Sequence, residues 1–214
     1  MSDFKSELVT AAQAEKERFG GRDETKEAVK PILTEYWIDG GGRNSRAAER
    51  EIRARTAWSA AFISFVVKTA LKDSDSSAAF EFSASHSIYA GAAIRNQLNN
   101  VRLPAFYGFP PTGEGAVKPE VGDLIGVTRV KWIDDYADAL GAARAGETYY
   151  SHFDVVIKSD GNTVETIGGN VSNTVGPKTF RLSNGLLPNL PFRYDSAGRV
   201  ISGPFICVIK HLTG

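Results

Sequence analysis

The chain of 214 residues is long enough for one domain with a substantial core, and 42% of its residues are hydrophobic. Its 25 basic and 25 acidic residues give a formal net charge of zero, which indicates neither a nucleic-acid footprint nor a surface for anionic membranes. The single cysteine, Cys207, excludes an internal disulfide and any site with several cysteine ligands.

The start of the sequence gives no sign of a standard export signal. Met1–Glu7 contains no apolar segment of the kind that secretion signals carry. No apolar run approaches the roughly 18 residues that a membrane span needs. We therefore expect synthesis in the cytoplasm and no membrane span. Action in the periplasm or in a target cell would require a specialised delivery route.

Helical composition dominates the start of the chain. The apolar spacing over 4–19 predicts an amphipathic helix that ends at Gly20-Gly21. A second helix is predicted over 24–37, unless Pro31 marks its true beginning, because proline is tolerated in the first helical turn.

A charged segment then leads into more apolar sequence. This segment, 43–55, is predicted to be a loop or a further short helix. We therefore expect residues 1–55 to form a helical extension that packs on the core. Residues 56–214 are expected to form the main domain, and the two parts together a single structural unit.

The segment Ala57–Val67 predicts a buried central helix, because its apolar residues leave it almost without a polar face. Ser59 lies at its beginning, where backbone N–H groups are unpaired and the helix dipole is positive. A nucleophile at this position would have its anion stabilised. The ordinary role of Ser59, or of Thr56, is to cap the helix.

Polar and small residues follow the central helix. Residues 72–79 are predicted to form a polar loop, and 80–82 a short strand or turn. The segment 85–97 has the composition of a helix with a serine cap. Residues 103–119 are rich in proline and glycine and are predicted to be a long loop, a class that often forms the rim of a functional site.

The second half of the sequence changes to β-branched, strand-like composition. An Asp-Gly-Asn turn at 160–162 predicts a hairpin between a strand that begins near His152 and a strand that reaches Asn170. A small helical or irregular insertion is expected over 134–145. Helices followed by an antiparallel meander indicate the α+β class. The predicted strands are 123–131, 153–158, 163–167 and 205–210.

Four segments resemble, in the same order, motifs of the NlpC-type and CHAP cysteine peptidases and amidases. Trp58–Ser64 resembles their nucleophile helix W-C-A-A-F-V-S, with serine where these families carry cysteine. Gly122–Ile125 resembles their G-D strand start, Ser151–Ile157 their histidine strand, and Ile167–Ser172 the strand whose residue orients the histidine. The chain most resembles an uncharacterised bacterial domain family within this papain-like superfamily.

The resemblance implies a papain-like fold in which the central helix packs on an antiparallel sheet. It implies Ser59 as nucleophile, His152 as general base and Asn170 as the group that orients the imidazole. The backbone N–H groups of Ser59 and Ala60 would stabilise the oxyanion. Asp154 competes with Asn170 for the orienting role, because residues i and i+2 of a strand share a face.

Serine in place of cysteine leaves three interpretations of the site open. A serine hydroxyl is a weak nucleophile unless a base is well placed, whereas cysteine is partly thiolate at neutral pH. Ser59 is therefore a working nucleophile, a replacement that inactivates a cysteine enzyme, or part of a natural pseudoenzyme that binds without cleaving.

Each residue of the predicted triad region also has an ordinary structural role. His152 at the start of a strand could simply bond a neighbouring carbonyl. Asn170 follows two glycines and suits a turn. For Asp123, the structural role is the expected one, because a Gly-Asp pair that enters a strand is usually a turn.

Two further histidines and the cysteine also carry reactive side chains. His86 at the start of a predicted helix could line it, or could be a partly exposed helix-end histidine. His211 is expected at the surface. Cys207 lies in an apolar strand pattern and is expected to be a core residue rather than a nucleophile.

No cofactor or resident metal is expected. His86, His152, Asp123 and Asp154 occur singly, without H-x-x-x-H or C-x-x-C spacing, and only a cluster formed in space could bind a metal. No glycine-rich phosphate-binding motif appears, so nucleotide binding has no support.

These features support three hypotheses about the function of the protein. The resemblance implies an amide hydrolase of bacterial peptidoglycan peptide, such as a lysin or an antibacterial effector with an immunity or secretion partner. The missing cysteine favours the alternative of a non-catalytic binding module on the same fold. A third hypothesis is a different hydrolase centred on His86 with Asp123 or Asp154.

Overall fold

The computed structural model describes residues 3–74 and 78–213. Within them the chain folds as helices packed on an antiparallel sheet, and the expected α+β class is confirmed. The helices are α1 (Phe4–Phe19), α2 (Lys30–Glu35), α3 (Ser45–Ala54), α4 (Ser59–Asp73), α5 (His86–Leu98) and α6 (Tyr136–Ala145). None of the described helices is both long and apolar enough to cross a membrane.

The main sheet has six strands in the order β1-β8-β2-β3-β4-β5, and all its pairings are antiparallel. A separate short hairpin pairs β6 with β7. The strands are β1 (Ala105–Phe109), β2 (Leu124–Thr128), β3 (Ser151–Ser159), β4 (Thr163–Val171), β5 (Thr174–Arg181), β6 (Arg193–Tyr194), β7 (Val200–Ser202) and β8 (Phe205–Leu212).

Helix α1 has clear signals at both ends. The Asp3 side chain accepts a hydrogen bond from the Ser6 backbone N–H, which satisfies one of the unpaired groups of the first turn. Gly20 takes the left-handed conformation and its N–H donates to the Lys16 carbonyl. The predicted helix over 4–19 is confirmed, and its apolar face packs against α4.

The second predicted helix is not continuous. A 3-10 turn at Glu27–Val29 precedes α2, in whose first turn Pro31 lies, and Tyr36–Gly40 forms a π-helical turn. A Cβ at Gly40 would lie 2.0 Å from the Ala61 carbonyl oxygen, so only glycine allows this turn to approach α4 so closely.

Helix α4 is buried almost throughout, as its composition predicts. Most of its residues through Ala70 are buried, and Trp58, Phe62 and Ile63 belong to one large core with residues of α1, α2 and α5. A second, smaller core lies on the sheet and includes Ile125, Val127 and Val156. The extension and the main domain therefore share one core.

Several local predictions are wrong. Residues 103–119 are not all loop, because β1 lies within them. Of the strand or turn predicted over 80–82, only a tight turn forms, closed by the Phe82 N–H that donates to the Phe80 carbonyl at 3.1 Å. The helix α4 extends through Asp73 into the predicted 72–79 loop, whose middle lies outside the described residues. His211 is not a surface residue, since it is 5% exposed.

The second half follows the predicted meander more closely. The hairpin between β3 and β4 forms around the 160–162 turn, and Cys207 is fully buried as expected. The insertion over 134–145 contains α6. Strand β5 was not predicted.

Candidate active site

Ser59 is the first residue of α4, and the preceding chain holds it in place. The Trp58 indole N–H donates to Glu24 Oε2 at 2.7 Å, and its ring stacks on Phe19 and Tyr36. Trp58 caps the helix without a side-chain hydrogen bond. The backbone N–H groups of the first turn therefore have no hydrogen bond from a capping side chain, and they lie next to the Ser59 hydroxyl.

Helix α5 brings His86 to this hydroxyl. Ser59 Oγ lies 2.7 Å from His86 Nε2, and Tyr89, one turn further along α5, bonds His86 Nδ1 through its hydroxyl. With the ring proton on Nδ1, that N–H donates to Tyr89 and the Ser59 hydroxyl donates to Nε2. In this tautomer the His86 ring can act as a base toward the Ser59 hydroxyl.

Burial keeps the histidine neutral. It lowers the pKa of His86 well below the ordinary value, and the electrostatic interactions with His152 and Arg129 act in the same direction. Asp154 acts in the opposite direction and favours the protonated ring. A neutral imidazole at neutral pH can accept the Ser59 proton.

His152 belongs to a second hydrogen-bonded group. Its Nε2 lies 2.9 Å from Asp154 Oδ1, and Lys178 Nζ donates to Asp154 Oδ2 at 2.9 Å. Burial alone would raise the pKa of Asp154, but His152 and Lys178 together hold it well below its usual range. Burial lowers the pKa of His152. The carboxylate is therefore ionised and the second imidazole neutral.

The two groups are adjacent but are not joined by a hydrogen bond between their histidines. His152 lies directly opposite Val127, so strand alternation places it on the face of the smaller core. Phe153 points to the helices and stacks on His86 at 5.7 Å between ring centroids. The two histidine rings are also 5.7 Å apart, without a hydrogen bond between them.

The predicted Ser59–His152 hydrogen bond is therefore not formed. The imidazole that contacts Ser59 is that of His86, which the sequence analysis gave as a further candidate beside His152. Asp154 does share a side with His152 and bonds it, as the i, i+2 spacing predicted.

Asn170 does not orient His152. The imidazole bonds Asp154 through Nε2, and its Nδ1 has no partner in the described part of the chain. Asn170 has a positive φ of 56° within a β-bulge between Gly168 and Val171. A Cβ at Gly168 would lie 1.8 Å from Asp154 Oδ1, so the glycine leaves room for the carboxylate.

Asp123 has the structural role expected of it. Its buried carboxylate accepts from Lys210 Nζ at 2.6 Å and from the Glu120 backbone N–H at 2.8 Å. Burial raises its pKa against the influence of Lys210. The third hypothesis consequently loses Asp123 as a partner for His86, since this carboxylate is committed to Lys210.

The only metal-like group of side chains among the described residues is the exposed trio Asp134, Asp135 and Asp138. Exposed carboxylates of this kind are common without an ion. It lies outside the Ser59 and His152 groups, so it gives no support to a metal in the candidate site.

Two cavities open close to the buried groups. One of about 410 Å³ is bounded by Thr56 and Trp58, just before Ser59 in the chain. Another of about 350 Å³ is bounded by Ser85, next to His86, and by the exposed Tyr150. Neither cavity is bounded by Ser59 or His86 themselves, and Ser59 is only 4% exposed.

Sequence reasoning missed three residues of this region: Tyr89, Arg129 and Lys178. The spacing of three between His86 and Tyr89 is a helical signal that could have paired them. Arg129 and Lys178 had no such signal, because their positions depend on strand pairing.

Comparison with known proteins gives a family. The profile described as "Uncharacterized protein conserved in bacteria (DUF2272)" matches residues 30–187, well over half of the chain. No curated protein and no solved structure matches the chain. The chain belongs to this bacterial DUF2272 family.

Proposed function

We propose that the protein is a serine-dependent hydrolase of amide bonds, with Ser59 as nucleophile and His86 as general base. The observation that carries this is the 2.7 Å contact between Ser59 Oγ and His86 Nε2 at the start of a buried helix. A serine needs a base within hydrogen-bond reach, and this one is neutral because of burial.

The chemistry follows from these contacts. The Ser59 oxygen attacks the amide carbonyl carbon while its proton moves to His86 Nε2. The N–H groups at the beginning of α4, including that of Ala60, donate to the oxyanion. The protonated ring, held by Tyr89 at Nδ1, then gives its proton to the leaving nitrogen, and water later releases the acyl group. Asp154 stabilises the cationic ring by its charge.

The proposed substrate is bacterial peptidoglycan peptide. The support is the resemblance of Trp58–Ser64, Ser151–Ile157 and their neighbours to the NlpC-type and CHAP motifs, together with a buried helix packed on an antiparallel sheet. We extend the proposal to a papain-like fold and to use as a lysin or an exported antibacterial effector, with an immunity or secretion partner.

Turnover of purified peptidoglycan tests the proposal. Ser59→Ala and His86→Ala are expected to lower the rate at least about 100-fold, because each removes a group of the reacting pair. Ser45→Ala, an exposed serine at the start of α3, is the matched control and should keep the full rate. A Ser59→Ala variant as active as the parent would refute the assignment.

A second candidate function is a non-catalytic binding module on the same fold. Two observations favour it: serine stands where the resembled enzymes carry cysteine, and Ser59 and His86 are only 4% and 6% exposed. Ser59→Cys separates the two functions. Hydrolysis that appears only in this variant would show that the natural protein binds without cleaving.

A further inference from the structure

Two exposed aromatic side chains bound the 350 Å³ cavity. Tyr150 is 80% exposed and Trp132 is 52% exposed. Exposed hydrophobic side chains that occur singly need no explanation, whereas exposed rings gathered around one concavity mark a binding site. The volume of the cavity lies within the range of about 300–1,000 Å³ that small-molecule sites occupy. The two rings therefore indicate that this opening receives a ligand.

The backbone on both sides of the cavity is held in place. The Thr128 hydroxyl donates to the Val130 carbonyl at 3.0 Å and accepts from the Val130 N–H at 3.1 Å, which fixes the chain that leads to Trp132. On the other side, the Tyr149 N–H donates to Ser87 Oγ at 3.3 Å. The Trp132 ring meets the Tyr149 ring edge to face, with centroids 5.9 Å apart. The Trp132 ring is therefore held before a ligand arrives, which lowers the entropy cost of binding.

The lining of the cavity favours an uncharged ligand that is rich in hydroxyl groups. All the residues that bound the cavity are uncharged: Ser85, Val130, Trp132, Thr148, Tyr149 and Tyr150. A charged ligand would lose hydration here without a counterion on the walls, whereas the hydroxyls of Ser85 and Thr148 can exchange hydrogen bonds with ligand hydroxyls. Lys131, which precedes Trp132, is not among these residues and places its Nζ over the Tyr194 ring, 5.0 Å from the centroid.

A pyranose sugar with equatorial hydroxyls combines both properties that the cavity requires. The edges of the sugar ring carry hydroxyl groups, while its two faces present axial C–H bonds. These C–H bonds pack on the face of an aromatic ring, because that face is electron-rich. We propose that the 350 Å³ cavity binds an uncharged β-linked oligosaccharide of such sugars, with sugar rings packed on Trp132 and Tyr150.

The size of the site favours a sugar over a protein partner. A stable protein interface buries about 800 Å² on each side, whereas the two exposed rings here bound a single small concavity. The inference goes beyond amide hydrolysis, and it does not depend on the contact between Ser59 and His86.

Tryptophan fluorescence tests the proposal directly, because Trp132 is exposed and the other two tryptophans, Trp37 and Trp58, are buried. Cellotetraose and chitotetraose, both uncharged and β-linked, are titrated separately into the full chain. We expect a saturable blue shift of the emission and protection from acrylamide quenching with at least one of them. Sorbitol, an open-chain polyol without a ring face, should produce neither effect. An equal response to sorbitol, or no saturable change up to about 10 mM of either sugar, would overturn the proposal.

Calorimetry with the same sugars tests which side chains bind them. Trp132→Ala and Tyr150→Ala are each expected to weaken binding about 5–10-fold, and Trp132→Phe less, because a ring remains. Both side chains are exposed, so these variants should unfold in urea like the parent. Leu98→Ala removes another exposed apolar side chain, at the opposite end of α5 from Ser85, and should leave the affinity unchanged. Full affinity in both alanine variants of the rings would overturn the assigned site.

A second copy of the chain is the other occupant that the test can detect. A blue shift that grows with protein concentration in the absence of sugar, and that vanishes in Trp132→Ala, would overturn the sugar site in favour of self-association.

The sugar site and the hydrolase function fail separately, because cellotetraose contains no amide bond. If sugar binding depends on Trp132 but peptidoglycan is not cleaved, the hydrolase function is wrong and the sugar site stands. If peptidoglycan turnover depends on Ser59 while neither tetrasaccharide binds, the sugar site is wrong and the hydrolase function stands.

Discussion

Gly168→Ala tests the packing that holds Asp154 in place. The added Cβ would lie 1.8 Å from Asp154 Oδ1, 3.0 Å from its Cγ and 3.2 Å from His152 Nε2. The first distance is far shorter than any real contact of a Cβ atom and the other two are tight, so the carboxylate must move. Movement breaks the 2.9 Å contact with His152 or the equal contact with Lys178.

The expected cost follows from the burial of Asp154, which is 3% exposed. Removing one partner of a buried charge costs about 3–5 kcal/mol, and replacing glycine in a strand returns roughly 0.5–1 kcal/mol. We therefore expect the free energy of unfolding to fall by about 2–4 kcal/mol. If Asp154 loses these partners in the variant while it stays buried, its pKa should rise.

Urea unfolding measures this loss, provided that the denaturant slope is unchanged. Gly141→Ala is the matched control, because a Cβ there meets nothing within 4 Å and α6 should gain stability. In an Asp154→Ala background the Gly168→Ala cost should nearly vanish. An equal cost in both backgrounds would refute the explanation.

Three further predictions concern stability. Burial lowers the pKa values of His86 and His152 from 6.5, so below that pH the unfolded chain binds more protons than the folded chain. The free energy of unfolding is therefore at its full value above about pH 6.5. It should fall by up to roughly 1.4 kcal/mol per pH unit for each histidine as the pH decreases. Urea unfolding from pH 8 to pH 5 checks this, and an unchanged slope in a His86→Gln/His152→Gln variant would contradict it. Lys210→Met leaves the fully buried Asp123 without its 2.6 Å partner and should cost about 3 kcal/mol in thermal or urea unfolding, with Lys210→Arg losing less; a loss below about 1 kcal/mol would contradict the pairing. Gly40→Ala forces α4 away and should cost about 1–3 kcal/mol by the same measurement, and no loss would show that the close approach is dispensable.

Local patterns predicted much of the fold. The capped apolar spacing of α1, the apolar run of α4 and the turn at 160–162 each depend on neighbours in sequence, and all three are confirmed. Strand β5 was missed because Gly176, Pro177 and Lys178 have poor strand composition. Proline is tolerated there because β5 lies at the edge of the sheet.

In the candidate site, the sequence predicted contacts within one strand but not contacts between separate helices. The His152–Asp154 contact follows from strand alternation and was foreseen. The Ser59–His86 contact depends on how two helices pack, which no local pattern specifies. Asn170 was expected from resemblance, but the bulge with its positive φ changes the local geometry of β4.

The position of β8 has a consequence for folding during translation. Although it comes last among the strands, β8 lies between β1 and β2 and pairs with both. Until Phe205–Leu212 leaves the ribosome, the two earlier strands have no partner on those edges, and free edges invite aggregation. The edge strand β1 can therefore join the sheet only after most of the chain has been made, when β8 links it to β2.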